Sequence, residues 1–129
     1  MKVKANDFGI CGVEQLFYAG TVKFNDTGVS TGVDLAKLPN NAVITRAVAK
    51  VTTAFDAGTT NVLTVGTNDD VDNILGSSDV TEGTTGAYSK QTFVEAAKGD
   101  KVKAKYTQTG TAATAGVAEV YIFFVSIPE

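Results

Sequence analysis

The clearest alternation of apolar and polar positions lies in "KVKAKYTQT", residues 101–109, where Val102, Ala104 and Tyr106 interleave with Lys101, Lys103 and Lys105. A period of two is what a strand shows when one face is buried and the other wet, so 101–109 is predicted as a strand. "VAEVYIFFVSI", 117–127, is apolar at almost every position. That predicts a central strand covered on both sides, by the core on one and by another sheet, subunit or partner on the other. Residues 43–55 predict a further strand, with Val43, Ala47, Ala49, Val51 and Phe55 on one face and Ile44, Arg46, Val48 and Lys50 on the other. A partner strand at 60–66 follows "DAG", a three-residue connection with glycine of the kind that closes a tight hairpin. Upstream, 13–24 predicts a strand pair or one strand bent at Gly20, and 28–39 a short strand with a turn closing at Pro39. Residues 68–86 form the longest expected loop region, with one helical turn at Asp70 to Leu75 facing Val71, Ile74 and Leu75 inward. Residues 1–12 show no sustained period and read as an irregular arm before a single domain, 13–129.

Composition agrees with these elements. The 129 residues are enough for one core, and 18 Thr and 17 Val against 13 Gly and 2 Pro favour half-buried strands joined by glycine turns. Seven to nine short strands without a βαβ rhythm predict an all-β fold, an antiparallel β-sandwich of jelly-roll type, with an up-and-down barrel as the alternative. No apolar run approaches the roughly 20 residues that cross a bilayer as a helix, so no membrane partner is expected. The leading "MKVKANDFGICG" lacks the apolar core of a signal peptide, which predicts synthesis in the cytoplasm. A net charge of -3 carries no basic footprint for nucleic acid. Charge is uneven, however: between Lys50 and Lys90 there is no basic residue, while Asp56, Asp69, Asp70, Asp72, Asp79 and Glu82 all fall there.

Candidate chemistry is sparse. The absence of His removes Ser-His-Asp and Cys-His arrangements and His-dependent zinc sites, and Cys11 stands alone, without a basic neighbour to activate it. "NDDVDNILGSSD" fails the alternation of a calcium loop at Ile74, so no metal or other cofactor is expected at Asp69, Asp70 or Asp72. Glu95 and Glu119 are the carboxylate pair to weigh for glycoside hydrolysis, but neither sits in an aromatic context. With no Trp, the tyrosines 18, 88, 106 and 121 are assigned to strands or interfaces before glycan binding, and "EGTTGAYS" lacks the Lys of a phosphate cradle. The expectation is a protein without catalytic residues that works by surface contact.

"LPNNAVITRAVAKVTTAFDAGTTNVLTVGTNDD", followed by "GDKVKAKYTQTGTAATAGVAEVYIFFV", resembles the small jelly-roll capsid decoration, or cement, proteins of tailed bacteriophages and prophages. The likeness spans about residues 36 to 127 and is one of texture and strand order. It implies a structural virion protein that binds the outer surface of the major capsid protein lattice as a homotrimer and stabilises neighbouring capsomers. By position, the resemblance assigns the capsid contact to the arm, through Met1, Lys2, Val3, Lys4, Asp7 and Phe8. Subunit contacts are expected at Tyr121, Phe123 and Phe124, because "VYIFFV" has more apolar surface than one core face takes. A receptor- or glycan-binding head of a phage fibre is the alternative.

Overall fold

The computed structural model of the chain describes residues 14–126, and these contain strands, turns and loops but no helix. The strands are β1 (Gln15–Lys23), β2 (Val33–Lys37), β3 (Ala42–Thr53), β4 (Thr60–Gly66), β5 (Gly86–Glu95), β6 (Lys101–Thr109) and β7 (Val117–Ser126). They form a four-stranded sheet in the order β1-β7-β3-β5 and a three-stranded sheet in the order β2-β6-β4, antiparallel throughout. This order is that of one long antiparallel ribbon folded on itself. The first strand pairs with the last, the second with the next to last and the third with the one before it; wrapping the ribbon then brings β7 to β3 and β6 to β4. The result is the jelly-roll sandwich that the alternation predicts. In the place of an eighth strand beside β4 stands a single bridge, Val65 to Leu75.

The two inner faces supply the core. Ala47, Ala49 and Val51 of β3 and Ala118, Val120 and Ile122 of β7 meet Leu63 and Val65 of β4 and Val102, Ala104 and Tyr106 of β6. The Lys-interleaved strand therefore behaves as predicted, with its three apolar side chains at most 2% exposed. Gly20 marks a register shift in β1, which is one bent strand and not a pair.

Three expectations are corrected. β3 and β4 are not a hairpin: they belong to different sheets, and residues 54–59 cross the sandwich between them. The reason lies in Phe55, which is 2% exposed, stacks on Tyr106 at 4.7 Å, and donates its N–H to the Glu82 carbonyl at 2.9 Å. An apolar side chain that plugs the core between the sheets is incompatible with a solvent-exposed hairpin turn. Ile44 faces the core, fully buried, because a register shift between Ile44 and Arg46 changes the phase of β3. Val43 is also buried but lies outside that cluster. Finally, 70–75 is a turn and not a helical one: Val65 and Leu75 exchange backbone bonds of 3.0 and 2.9 Å. Ile74 and Leu75 do face inward, fully buried. β5, for which the apolar pattern predicts no strand, is the polar edge of the four-stranded sheet.

Candidate interaction surface

Strand pairing lines up the outward side chains of the four-stranded sheet in rows that cross β1, β7, β3 and β5. One row runs Leu16, Phe123, Arg46, Gln91; the next runs Tyr18, Tyr121, Val48, Ser89; a third runs Thr21, Glu119, Lys50, Ala87. Directly opposed side chains on one face lie within contact of one another. Accordingly the Tyr18 and Tyr121 rings sit 5.4 Å apart, and the Arg46 guanidinium lies over the Phe123 ring at 5.6 Å. The Tyr121 hydroxyl donates to Glu119 at 3.1 Å. Desolvation first, and then that carboxylate, raise the Tyr121 pKa. The large exposed apolar side chains of the described residues, Leu16 (55%), Tyr18 (52%) and Phe93 (73%), stand on the two edge strands of this sheet.

The outer face of the three-stranded sheet has another chemistry. Asp34 receives Lys103 at 2.6 Å and Lys101 at 3.3 Å, and these two ammonium groups, Lys103 foremost, lower its pKa. Beside them a groove of about 190 Å³ is lined by Thr64, Asp72, Ser77, Lys105 and Thr107, with Val62 and Val71. The outer face of the three-stranded sheet thus carries an Asp34–Lys101–Lys103 ion-pair cluster, whereas that of the four-stranded sheet gathers aromatic side chains among Arg46, Lys50 and Glu119.

The expected interface residues divide between inside and outside. Tyr121 and Phe123 are half-buried on the aromatic face, whereas Phe124 alternates inward, is 6% exposed and meets the Phe17 ring edge-on at 5.5 Å. Strand alternation makes it impossible for Phe123 and Phe124 to share a face. Met1, Lys2, Val3, Lys4, Asp7, Phe8 and Cys11 lie outside the described residues. Glu95 and Glu119 belong to rows six β7 residues apart, since Glu95 aligns through Val43 with Val125. That is a separation of about 20 Å, against the roughly 5 to 10 Å of a glycosidase pair.

The remaining carboxylates hold loops together. Among the described residues no three Asp, Glu, His or Cys side chains form a group that could hold a metal ion. Asp70 accepts the Asp72 N–H at 3.1 Å; interaction between the two carboxyls lowers the pKa of Asp70 and raises that of Asp72. Asp56 accepts from the Thr114 N–H and hydroxyl at 2.8 and 2.9 Å and from the Ala115 N–H at 3.0 Å, which lowers its pKa and pins the β6–β7 turn to the crossing segment. Buried Asp100 accepts from the Asn68, Lys101 and Ala97 N–H groups at 2.9, 3.0 and 3.2 Å. Buried Glu82 accepts the Leu63 N–H at 2.8 Å, satisfying a donor on β4, and desolvation raises its pKa. Neither buried acid stood out in the sequence, because each lies in a polar loop whose docking depends on distant strands.

No family model and no curated protein sequence matches the chain. Solved structures do. The chain is similar to a chain of the cyanophage Pam1 capsid asymmetric unit, with a TM-score of 0.75 and 18% identity over 98% of this chain and 94% of that one. It is also similar to a chain of the capsid of Ralstonia phage GP4, with a TM-score of 0.60 and 17% identity over 92% of this chain and 88% of that one. At these identities the likeness is one of fold, and the fold is a jelly roll that occurs in chains of phage capsids.

Proposed function

We propose that this chain is a virion structural protein that decorates the outer surface of a phage capsid and cements neighbouring capsomers, acting as a homotrimer and without catalysis. The observation that carries the reading is the correspondence of nearly the whole sandwich, 98% of the chain, to a chain within a phage capsid asymmetric unit. A sandwich whose described carboxylates tie loops and strand edges together, and whose aromatic side chains line a sheet face, is suited to contact work. The leading segment, through Met1, Lys2, Val3, Lys4, Asp7 and Phe8, is assigned the contact with the major capsid protein, and several such contacts per trimer add up by avidity. Mixing purified protein with expanded, undecorated capsids and pelleting them tests this. The protein is expected in the pellet at saturable stoichiometry, and removal of residues 1–12 is expected to leave it folded in the supernatant. Full-length protein that stays in the supernatant passes the assignment to the fibre-head alternative, with a receptor or glycan as ligand.

A further inference from the structure

We infer that the groove on the outer face of the three-stranded sheet, between β4, β6 and the 68–79 loop, is a binding site for a single pyranose unit of a neutral saccharide. The inference goes beyond the capsid reading and uses none of the residues assigned to that contact. The first observation is how the groove is built. β4 lies beside β6 with Thr64 opposite Lys105 and Val62 opposite Thr107; since Leu63 and Val65 fill the core, these four side chains face outward and make the floor. The loop makes the wall. Gly66, next along the outward side of β4, has no room for a side chain, because a methyl group there would run into the Asp70 carbonyl and the Val71 backbone. The chain at 70–72 is therefore laid directly on the sheet, which brings Val71 and Asp72 to the groove. Ser77 reaches it from a turn in which the Gly76 N–H donates to the Asp79 carboxylate at 2.7 Å, and the bonds that Val65 and Leu75 exchange hold the loop in place.

The second observation is what lines the groove without a partner. Other threonines bond within the protein, as Thr60 does with Thr109 at 2.7 Å and Thr114 with Asp56 at 2.9 Å. In the groove, the hydroxyls of Thr64, Ser77 and Thr107 and the Lys105 ammonium make no hydrogen bond among the described residues. Thr64 is 7% exposed, and its hydroxyl is cut off from water as well as from protein partners. A buried hydroxyl left unpaired is unfavourable, and rotation about χ1 exchanges its place with that of the methyl group and presents it to an occupant.

The lining selects that occupant. Three hydroxyls, a carboxylate and an ammonium offer donors and acceptors together, which a ring of hydroxyl groups needs, while Val62 and Val71 supply apolar contact for its C–H face. Charge disfavours simple ions. Asp72, with Asp70 beside it, repels an anion such as phosphate, and the Lys105 charge, near enough to be felt at Asp72, opposes a lone cation. Volume sets the size: about 190 Å³ lies below the roughly 300 Å³ at which sites for drug-sized ligands begin, so one sugar ring fits and the rest of a glycan stays in solvent.

Titration of the full chain with methyl α-D-glucopyranoside, methyl α-D-mannopyranoside and methyl β-D-galactopyranoside, followed by amide NMR shifts, tests the inference. At least one of them is expected to give saturable shifts centred on Thr64, Ser77, Lys105 and Thr107, with a Kd on the order of 1 to 10 mM. Thr64→Val removes the unpaired hydroxyl at nearly constant shape and is expected to melt no lower than wild type while weakening binding at least tenfold. Lys105→Met is expected to weaken it similarly, which keeps the test decisive if Thr64→Val misfolds. Failure of all three glycosides to shift these amides at about 100 mM would overturn the inference, as would shifts centred on Tyr18 and Tyr121 or binding untouched by both variants. Glycine or phosphate binding more tightly than every glycoside overturns it in favour of a charged ligand. Both variants are expected to pellet with capsids as wild type does; loss of pelleting in both assigns the groove to the capsid and overturns the saccharide. Glycoside shifts in a protein that never pellets uphold the site and refute the capsid reading.

Discussion

Gly116 and Glu82 show how single positions hold the fold. Gly116 has φ of +147°, and a methyl group there would run into the buried Phe55 ring. Gly116→Ala therefore combines a disfavoured backbone with overpacking and is expected to cost about 2 to 4 kcal/mol in denaturant unfolding. Glu82 acts through protonation. Its folded-state pKa lies above the reference value of 4.5, so the fold favours the neutral acid: this contribution is complete below pH 4.5 and is lost as pH rises through the raised value. Asp34, Asp56 and Asp79 have lowered pKa values, so theirs is present above 3.8 and lost as pH falls through the folded values. A stability maximum on the acidic side of neutrality is expected in a melting series from pH 3 to 8. Glu82→Gln keeps an acceptor for the Leu63 N–H and is expected to melt higher than wild type at pH 7, with most of the gain on acidification gone; an unchanged profile would exclude this role.

Among the elements, those with a strict period were legible and those governed by distant pairing were not. The strands at 60–66, 101–109 and 117–126 stand where the apolar pattern predicts them. Ile44 was misplaced because the register shift after it changes the phase of β3, and no local signal announces it. β5 escaped because an edge strand need bury little: its Ser89, Lys90 and Gln91 are exposed, and Lys90 is tied to Asp79 at 2.9 Å. "DAG" misled because turn chemistry is the same whether a strand returns beside its neighbour or crosses to another sheet. Phe55 separates the two cases, since truncating a side chain in an exposed turn costs little. Phe55→Ala, which empties the space beside Tyr106, is expected to cost about 3 to 5 kcal/mol. Neighbouring residues of β7 make a matching contrast: Phe124→Asp buries an unpaired charge and is expected to abolish folding, while Phe123→Asp, on the outer face, is expected to leave a folded domain by circular dichroism.

At the scale of the molecule, the two outer faces of the sandwich differ: the four-stranded sheet gathers Tyr18, Tyr121 and Phe123, and the three-stranded sheet the Asp34, Lys101 and Lys103 ion pairs. The sequence pattern was sufficient for the all-β class and for the apolar excess of "VYIFFV". Which of those residues face outward required the strand phase, and which face is bare required both sheets at once. Attachment to a shell under internal pressure is the central claim, and quantitative pelleting with expanded, undecorated capsids of the parent phage tests it most directly. The account predicts saturable binding at a fixed ratio to the major capsid protein, together with capsids that open at a higher temperature once decorated. Full-length protein that remains in the supernatant at every concentration, with capsid melting unchanged, would contradict it.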